Sequence, residues 1–413
     1  MKNVKSLFTK VTIICGLLFG TLIPASAQSW TPSNISFLPW TGLCASANGK
    51  NIWAALTNGP IFFSTNWGNS WDVVHWTNYF YTTGLTCSHN ASVLAAVTGH
   101  FGPGPIYFST DSGQNWPQSD APMEYWTCVA SSADGDEMVA GSSNGVVYIS
   151  TDSGTNWSPS PAPVEDWISV AISADGRQLA AVATNGPICV SRNGGLSWTT
   201  NNPGNPNISP LVRGGAIPNA NTPLNTNWQA VACSADKSKL VAVVYGGPIY
   251  ISTNAGTSWQ QTLAPLANWQ VVASSADGTR LIAAINNGPV YTSIDSGTTW
   301  VSNSIPDSDW VSVTSSADGS QLAAAALGDD YENTIYTLQL PVNPTLSTGS
   351  VNNTFGLSWT LPGTNFVVQQ ISGLSGASWA TLTNTPTLNL SNLQEQIWFT
   401  PSNGSSFFRL AAQ

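Results

Sequence analysis

Six tryptophans recur at one position of a repeated pattern, and four of them directly follow a polar residue. The tryptophans are Trp40, Trp126, Trp167, Trp228, Trp269 and Trp310, and the polar neighbours are Asp166, Asn227, Asn268 and Asp309. An indole beside a carboxylate or amide suits a neutral sugar, whose C–H face stacks on the ring while its hydroxyls form hydrogen bonds. We therefore predict a ring of sugar-binding side chains, with Tyr81 near the one copy that lacks the tryptophan. In the alternative interpretation the indoles pack between repeats.

Acidic residues offer two further kinds of chemistry. Hydrolysis of a glycosidic bond uses two carboxyl groups, and the candidates are Asp307, Asp309, Asp329 and Asp330. Carboxylate oxygens also bind Ca²⁺, so Asp329, Asp330 and Glu332 form a candidate calcium loop, with a solvated acidic loop as the alternative. We expect no other cofactor, because the three histidines fall on different elements.

A repeat supplies the elements that position these side chains. The segment WISVAISADGRQLAAVATNGPICVSRNGGLSW (167–198) matches WQVVASSADGTRLIAAINNGPVYTSIDSGTTW (269–300), and Trp228, Trp269 and Trp310 are spaced by 41 residues. Each copy has three short apolar runs separated by an ADG-type and an NGP-type turn, and a D-x-G-x-x-W turn opens a fourth run. Four short strands, A to D, in a unit of this size are typical of a propeller blade.

The number of A strands predicts an all-β fold, a seven-bladed β-propeller. The A strands begin near Trp40, Thr82, Trp126, Trp167, Trp228, Trp269 and Trp310. The seventh copy ends after its third run, whereas Trp30 precedes Trp40 by ten residues, the spacing between a D-strand tryptophan and the next A strand in complete copies. We predict that an N-terminal strand supplies strand D of the last blade and closes the ring, which leaves no free sheet edge.

The strand order assigns the connections to two rims with different charge. The B-to-C and D-to-A connections share one rim, here called the loop face, and the ADG and D-x-G-x-x-W turns share the other, the turn face. The turn face carries Lys50, Arg177, Arg192, Lys237, Lys239 and Arg280. The loop face carries one cation, Arg213, and the acids Asp120, Glu124, Glu165, Asp166, Asp307, Asp309, Asp329, Asp330 and Glu332. Because variable loops on a rigid sheet usually form the site of a propeller, we predict the site on the loop face.

The D-x-G-x-x-W turn is the most specific motif. The pattern S-x-D-x-G-x-x-W occurs six times in register, and its third position holds Asn66, Asp111, Asp152, Asn193, Asn254 and Asp295. On this motif the sequence resembles the Asp-box, or BNR, repeat family of sialidase-like β-propellers. A catalytic carboxylate or metal ligand would not alternate with asparagine, whereas a turn-forming side chain can, so we expect the boxes to be structural.

The resemblance implies activities that need residues this chain lacks. Sialidases of the family need an arginine triad and a Tyr/Glu pair, the xyloglucan-cleaving members use two propellers, and the similar photosystem assembly propellers present an arginine patch. One loop-face arginine supplies neither the triad nor the patch. We therefore predict a non-catalytic binding propeller for a neutral carbohydrate or an extracellular protein partner. A glycoside hydrolase that uses paired carboxylates is the alternative.

The two ends of the chain differ from the repeat. Residues 1–27 resemble a bacterial secretory signal peptide, with three lysines, an apolar run and the site Ala25-Ser26-Ala27. Residues 28–341 form the predicted propeller, and residues 342–413 form a small β-sandwich-like module similar to short fibronectin-like modules. We expect an exported monomer, extracellular or periplasmic, with no membrane span. Without the signal, eight basic residues stand against 21 acidic ones, so the surface repels nucleic acid.

Five cysteines follow the predicted signal. Cys44, Cys87, Cys128 and Cys233 fall in strand A, where other copies carry small residues. We predict that these thiols are small buried groups; a disulfide between neighbouring copies is the alternative.

Overall fold

A computed structural model describes residues 30–36, 38–74, 81–201, 203, 227–327, 334–340, 346–351, 354–360, 366–371, 378–399 and 407–412. Every regular element in these ranges is a β-strand, so the all-β prediction is confirmed. No helix in the described ranges has the length and apolar character needed to cross a membrane.

The strands up to Gln339 follow the repeat. They are β1 (Thr31–Ser36); β2 (Trp40–Ala45), β3 (Ile52–Leu56), β4 (Ile61–Ser64) and β5 (Asp72–Val73); β6 (Thr82–Cys87), β7 (Leu94–Thr98) and β8 (Ile106–Ser109); β9 (Trp126–Ser131), β10 (Met138–Ser142), β11 (Val147–Ser150) and β12 (Ser158–Pro159); β13 (Trp167–Ile172), β14 (Leu179–Ala183), β15 (Ile188–Ser191) and β16 (Thr199–Asn201); β17 (Trp228–Cys233), β18 (Leu240–Gly247), β19 (Ile249–Ser252) and β20 (Gln260–Gln261); β21 (Ala267–Ser274), β22 (Leu281–Ile285), β23 (Val290–Ser293) and β24 (Val301–Ser302); and β25 (Asp309–Ser315), β26 (Gln321–Leu327) and β27 (Thr334–Gln339).

Within each group the strands pair antiparallel in chain order. The group β6 to β8 is completed by a single bridge between Tyr107 and Gln118. In the last group the outer strand is β1, which pairs with β27 through Thr31 and Thr337. The sheet that starts at β25 therefore takes its fourth strand from the other end of the described chain.

A ring of backbone hydrogen bonds joins the groups at the turn-face ends of their first strands. Seven N–H groups each donate to the carbonyl of the next group: Ala47 to His89 (2.6 Å), His89 to Ala133 (2.8 Å), Ala133 to Ala174 (2.9 Å), Ala174 to Ala235 (3.1 Å), Ala235 to Ala276 (2.8 Å), Ala276 to Ala317 (2.7 Å) and Ala317 to Ala47 (2.6 Å). The last bond returns to the first residue. The strands β2, β6, β9, β13, β17, β21 and β25 therefore surround a central channel, each in contact with the next.

The core is divided into clusters that lie between neighbouring sheets. In one of them, Ala180 and Val182 of β14 pack with Trp228, Val231 and Ala242 of the next sheet. The first strands share a β-bulge directly after the tryptophan position, as at Trp167/Ser169 and Trp310/Ser312. A bulge increases local twist and re-aims the side chains beside it, so the same feature orients the six tryptophans and Thr82, which takes their place in β6.

The C-terminal strands form two smaller sheets. They are β28 (Ser347–Val351), β29 (Thr354–Thr360), β30 (Phe366–Ile371), β31 (Ala380–Thr381), β32 (Thr387–Asn389), β33 (Gln394–Phe399) and β34 (Phe407–Ala412). One sheet has the order β28-β29-β33-β32 and the other the order β31-β30-β34. Leu357, Trp359, Val368, Ile397 and Phe408 form their shared core, so these strands have an apolar centre of their own.

The turn between β32 and β33 contacts the channel. Leu390 and Leu393 pack against the alanine ring, which consists of Ala47, Ala133, Ala174, Ala235, Ala276 and Ala317. Leu393 has a φ of 54°, a left-handed conformation that is costly for a residue with a side chain. This C-terminal turn therefore covers the turn-face mouth of the channel.

Candidate functional site

The six repeated tryptophans are buried. Trp40, Trp126, Trp167, Trp228, Trp269 and Trp310 are each at most 1% exposed. A sugar ring needs an open indole face for stacking, and these indoles have none, so the structure does not support the predicted sugar contacts. The sequence correctly predicted that these tryptophans begin the A strands, but their side chains point into the interfaces between sheets.

Aromatic partners account for this burial. Trp126 meets Tyr148 edge to face with ring centroids 5.1 Å apart, and Trp269 meets Tyr291 at 5.3 Å. The pairs Trp40–Phe62, Trp228–Tyr250 and Trp310–Tyr336 repeat this geometry. Such pairs contribute about 0.5–1.5 kcal/mol beyond burial. The alternative interpretation, packing between repeats, describes these tryptophans.

The polar residues before the tryptophans lie on the loop face and brace its loops. Ser143 donates to Asp166 Oδ1 (2.5 Å), and Asn286 Nδ2 donates to Asp309 Oδ1 (2.6 Å). Each bond joins the segment before an A strand to the B-to-C connection of the preceding sheet.

The two asparagines at this position also hold loops in place, in their case by backbone pairing. Asn227 forms a bridge with Thr184, and Asn268 pairs with Tyr245. Gln229 Nε2 also donates to Asn227 Oδ1 at 3.0 Å. These four polar residues therefore fix the loop conformations.

Asp120 is not on the loop face, contrary to the prediction. Its N–H donates to the Thr155 carbonyl (3.1 Å), and its carboxylate accepts the Trp157 N–H (2.8 Å). Both partners belong to the third Asp box, on the turn face. Asp120 directly follows the last backbone bond of its fourth run, from the Ser119 N–H to the Ile106 carbonyl (2.9 Å), and from there its carboxylate reaches the box of the next group.

The turn-face cations join neighbouring turns. Lys237 forms an ion pair with Asp175. Lys239 donates to the Asp277 carbonyl (2.9 Å), and Arg192 donates to the Ala255 carbonyl (2.8 Å). In the described chain, every lysine and arginine lies on this face except Arg409, which is in β34. Of these cations, Arg192, Lys237 and Lys239 are engaged by neighbouring turns.

The Asp boxes bond to themselves. In the second box Ser109 Oγ donates to Asp111 Oδ1 (2.8 Å) and accepts the Gly113 N–H (2.8 Å), while Asp111 Oδ1 accepts the Asn115 N–H (2.9 Å). The same three bonds recur in the other five boxes, where the acceptors are Asn66, Asp152, Asn193, Asn254 and Asp295. The side-chain hydrogen bond from Asn115 lowers the pKa of Asp111 to about 2. Asparagine oxygen can make the same bonds, which explains the alternation.

Exposed apolar side chains gather on one part of the loop face. Phe101 is 73% exposed, Met123 55% and Tyr125 47%. Phe101 contacts Tyr81 edge to face at 4.6 Å and His100 at 4.4 Å. We call Tyr81, His100, Phe101, Met123, Tyr125 and the next exposed apolar residue, Val164, the aromatic sector. Only Tyr81 was among the residues selected from the sequence.

One sequence feature is specific to this sector: the loop GHFGPGP (99–105) replaces the short NGP turn of other copies. The third residue before the tryptophan is apolar in APMEYW (121–126) and APVEDW (162–167), and also in APLANW (264–269), where Leu266 is 70% exposed. A side chain at Gly99 would place its Cβ 2.6 Å from the Trp126 nitrogen. The glycine therefore allows the 99–105 loop to lie directly on the segment before β9.

The turn-face end of the channel contains a small space. A cavity of about 160 Å³ is bounded by the alanine ring and by Cys87, His89, Cys233 and Leu393. Burial raises the pKa of the Cys233 thiol far above its ordinary value. Leu393 lines this space, so the C-terminal turn narrows the turn-face mouth of the channel.

No group of three histidine, cysteine or acidic side chains in the described ranges could hold a metal ion. The candidate calcium residues Asp329, Asp330 and Glu332, as well as Arg213 and the signal at 1–27, lie outside the described residues. The cysteines Cys44, Cys87, Cys128, Cys189 and Cys233 are free thiols, and Cys44 and Cys189 are buried.

Comparison with known proteins identifies the fold. No protein-family model and no curated protein matches the sequence. Among solved structures, YCF48 from Cyanidioschyzon merolae superposes with a TM-score of 0.55 at 14% identity, over 76% of this chain and 99% of that one. A structure of YCF48 bound to D1 peptide gives 0.55 at 15% identity, over 76% and 97%. At these identities the likeness shows the fold alone: this repeat protein is a β-propeller, as predicted.

Proposed function

We propose that this protein is a non-catalytic binding propeller that recognises an extracellular protein partner through its loop face. The observation that carries the proposal is the contrast between the two faces. The turn face is occupied by Asp boxes, inter-turn cations and the Leu390–Leu393 turn. The loop face presents exposed apolar side chains beside acids, the composition of a surface that binds another molecule.

We further propose seven blades, with β1 closing the ring. The seven-membered ring of backbone hydrogen bonds supports the number, and the pairing of Thr31 with Thr337 supports the closure. The six boxes support membership of the Asp-box family. In this proposal the C-terminal strands are a separate small module, the N-terminal 27 residues export the protein, and it acts as a monomer.

A protein partner agrees with one comparison. A YCF48 structure contains a bound D1 peptide, so a propeller of this fold does bind a polypeptide. The described part of the loop face of this chain carries acids and no lysine or arginine, so a peptide bound there would meet a negatively charged surface.

Site-specific photo-crosslinking tests the proposal. A photoreactive residue placed at Val164 or Leu266 samples the loop face, and one at Leu196 or Ile294 samples the turn face; all four positions are 67–78% exposed. We expect discrete protein adducts in the exporting cell from the loop-face positions only. Equal crosslinking from both faces, or adducts from the turn face alone, would contradict the proposal.

Neutral carbohydrate is the second candidate ligand. The exposed rings of Phe101 and Tyr125 favour it, because an open aromatic face stacks on a sugar. A glycan array with the wild type and Phe101→Ala tests it: binding that Phe101→Ala removes supports carbohydrate, and an array without signal excludes it. The hydrolase alternative predicts polysaccharide turnover that Asp309→Asn removes.

A further inference from the structure

The aromatic sector presents an exposed apolar surface on which an apolar side chain of another molecule can pack. Phe101 projects from its loop between His100 and Tyr81, both at edge-to-face distances. Met123 and Val164 occupy equivalent positions before two successive A strands and are 55% and 67% exposed. Exposed aromatic and methionine side chains in one patch are enriched where proteins bind one another.

The sector is also rigid. Gly104 N–H donates to the Glu124 carbonyl (2.8 Å), and Glu124 N–H donates back to Gly104 (3.2 Å). Gly145 and Glu165 form the same pair of bonds, each at 3.1 Å. Because these bridges hold the loops in place, binding would order little additional chain, and pre-organisation of this kind favours affinity.

The charge beside the apolar side chains has one sign. Glu124 lies between Met123 and Tyr125 in one connection, and Glu165 and Asp166 directly follow Val164 in the next. No lysine or arginine lies on the described part of the loop face. An acidic partner would be repelled and a basic one attracted.

Resting on the proposed function, we infer that the aromatic sector binds an extended segment of a partner protein in which a bulky apolar side chain is next to lysine or arginine. The apolar side chain packs on Phe101 and Met123. The cation meets Glu124 or Glu165 at the rim of the patch. A neutral sugar would also stack on the rings and hydrogen-bond to the carboxylates, but only a cationic partner gains from their negative charge, which is why the peptide is favoured.

Three labelled peptides of about 12 residues test this inference in the full-length chain. The first has a tryptophan flanked by lysines, the second has glutamates in place of the lysines, and the third has serine in place of the tryptophan. Fluorescence anisotropy measures Kd at low and high salt for the wild type, Phe101→Ser and the double variant Glu124→Gln, Glu165→Gln. Leu196→Ser is the matched control, since Leu196 is 78% exposed on the turn face.

We expect only the first peptide to bind the wild type well. Phe101→Ser should weaken it about tenfold or more, and Leu196→Ser should change Kd by less than about twofold. The double variant should bind more weakly at low salt and lose most of the salt dependence. Equal binding of all three peptides, or indifference to Phe101→Ser, would overturn the inference.

The crosslinking experiment separates the two proposals. If Val164 yields protein adducts but the lysine–tryptophan peptide does not bind, the partner chemistry is wrong and the loop face remains the binding face. If neither experiment gives a signal, both fail. Thermal unfolding of each variant checks the fold, and the exposure of Phe101 predicts an unchanged Tm.

Discussion

Closure of the ring by β1 predicts that a tryptophan near the N-terminus stabilises the last blade. Trp30 is 8% exposed and packs in one cluster with Ile305, Trp310 and Leu338. A buried tryptophan removes about 200 Å² from water, which at ~25 cal/mol/Å² contributes about 5 kcal/mol. Measured tryptophan-to-alanine changes in cores cost about 3–5 kcal/mol. We therefore expect Trp30→Ala to lower the free energy of unfolding by about 4 kcal/mol.

The expected fall in melting temperature follows from the size of the propeller. Unfolding entropy is about 2.1 cal/mol/K per residue, so about 300 residues give about 0.63 kcal/mol/K. A loss of about 4 kcal/mol then lowers Tm by about 6 °C. Calorimetry or circular dichroism during heating measures it, and deletion of residues 28–36 should lower Tm further.

A matched variant controls for the loss of a tryptophan as such. Trp259 is 2% exposed and lies in the equivalent position before β20, in a sheet whose fourth strand follows directly along the chain. Trp259→Ala should cost a similar amount, and Trp398→Ala, at a side chain 41% exposed in β33, should cost little. If Trp30→Ala leaves Tm unchanged while Trp259→Ala lowers it, β1 does not hold the ring closed.

Three further predictions concern the turn face, the Asp boxes and the thiols. Replacing Leu390 and Leu393 by aspartate should release their turn from the alanine ring and accelerate its cleavage by protease, with Leu196→Asp as control; cleavage at the wild-type rate would contradict this docking. Asp111→Asn should retain most of the stability at pH 7, because asparagine makes the same bonds in Asn66, whereas Asp111→Ala should not. Folding lowers the pKa of Asp111 from 3.8 to about 2, so the stabilisation by its carboxylate is present above pH 3.8 and is lost as the pH falls to about 2. The free energies of unfolding of the wild type and Asp111→Asn should therefore converge over that window. A difference that stays constant would refute the assignment. Burial raises the pKa of Cys128 and Cys189 from 9.0 to about 11. Both thiols should therefore react slowly with a thiol reagent at pH 8 unless the protein is denatured, and their contribution to stability should decline as the pH rises from 9 to 11. Rapid labelling of the folded chain would disprove the burial of these thiols.

The repeat could be predicted from the sequence because each of its parts is determined by residues that are close together in the chain. The Asp-box glycines, such as Gly113 with a φ of 80°, need a left-handed conformation that glycine adopts without strain. The serine and the aspartate or asparagine of each box bond within eight residues of chain, so the motif carries the turn by itself. The ten-residue spacing of Trp30 and Trp40 matched complete copies for the same reason, and it predicted the strand that pairs with β27.

The site was less predictable, because the spacing of residues predicts which side of a strand a side chain faces but not how deeply it is buried. Trp167 and Phe101 are both aromatic residues at the loop-face end of a strand, yet the first is 0% exposed and the second 73%. What separates them is the tertiary partner: the tryptophan position lies against the next sheet, whereas the loop of Phe101 has already passed beyond it. Exposed apolar residues also contradict the usual rule that such side chains are buried, so Met123 and Tyr125 were overlooked.

The two faces of the propeller differ for a physical reason. On the turn face each short turn must satisfy its own backbone groups and bond to the next one, and Lys237, Lys239 and Arg192 provide those links. Leu196 and Ile294 are exposed there, but the cations that link the turns are engaged within the fold, and Leu393 lines the mouth of the channel. On the loop face, paired bridges such as Gly104–Glu124 and Gly145–Glu165 satisfy the backbone, so the side chains at Phe101, Met123 and Val164 are not needed to hold the loops. An apolar side chain that the fold does not require, kept in water by a rigid loop, costs solubility, and contact with a partner removes that cost.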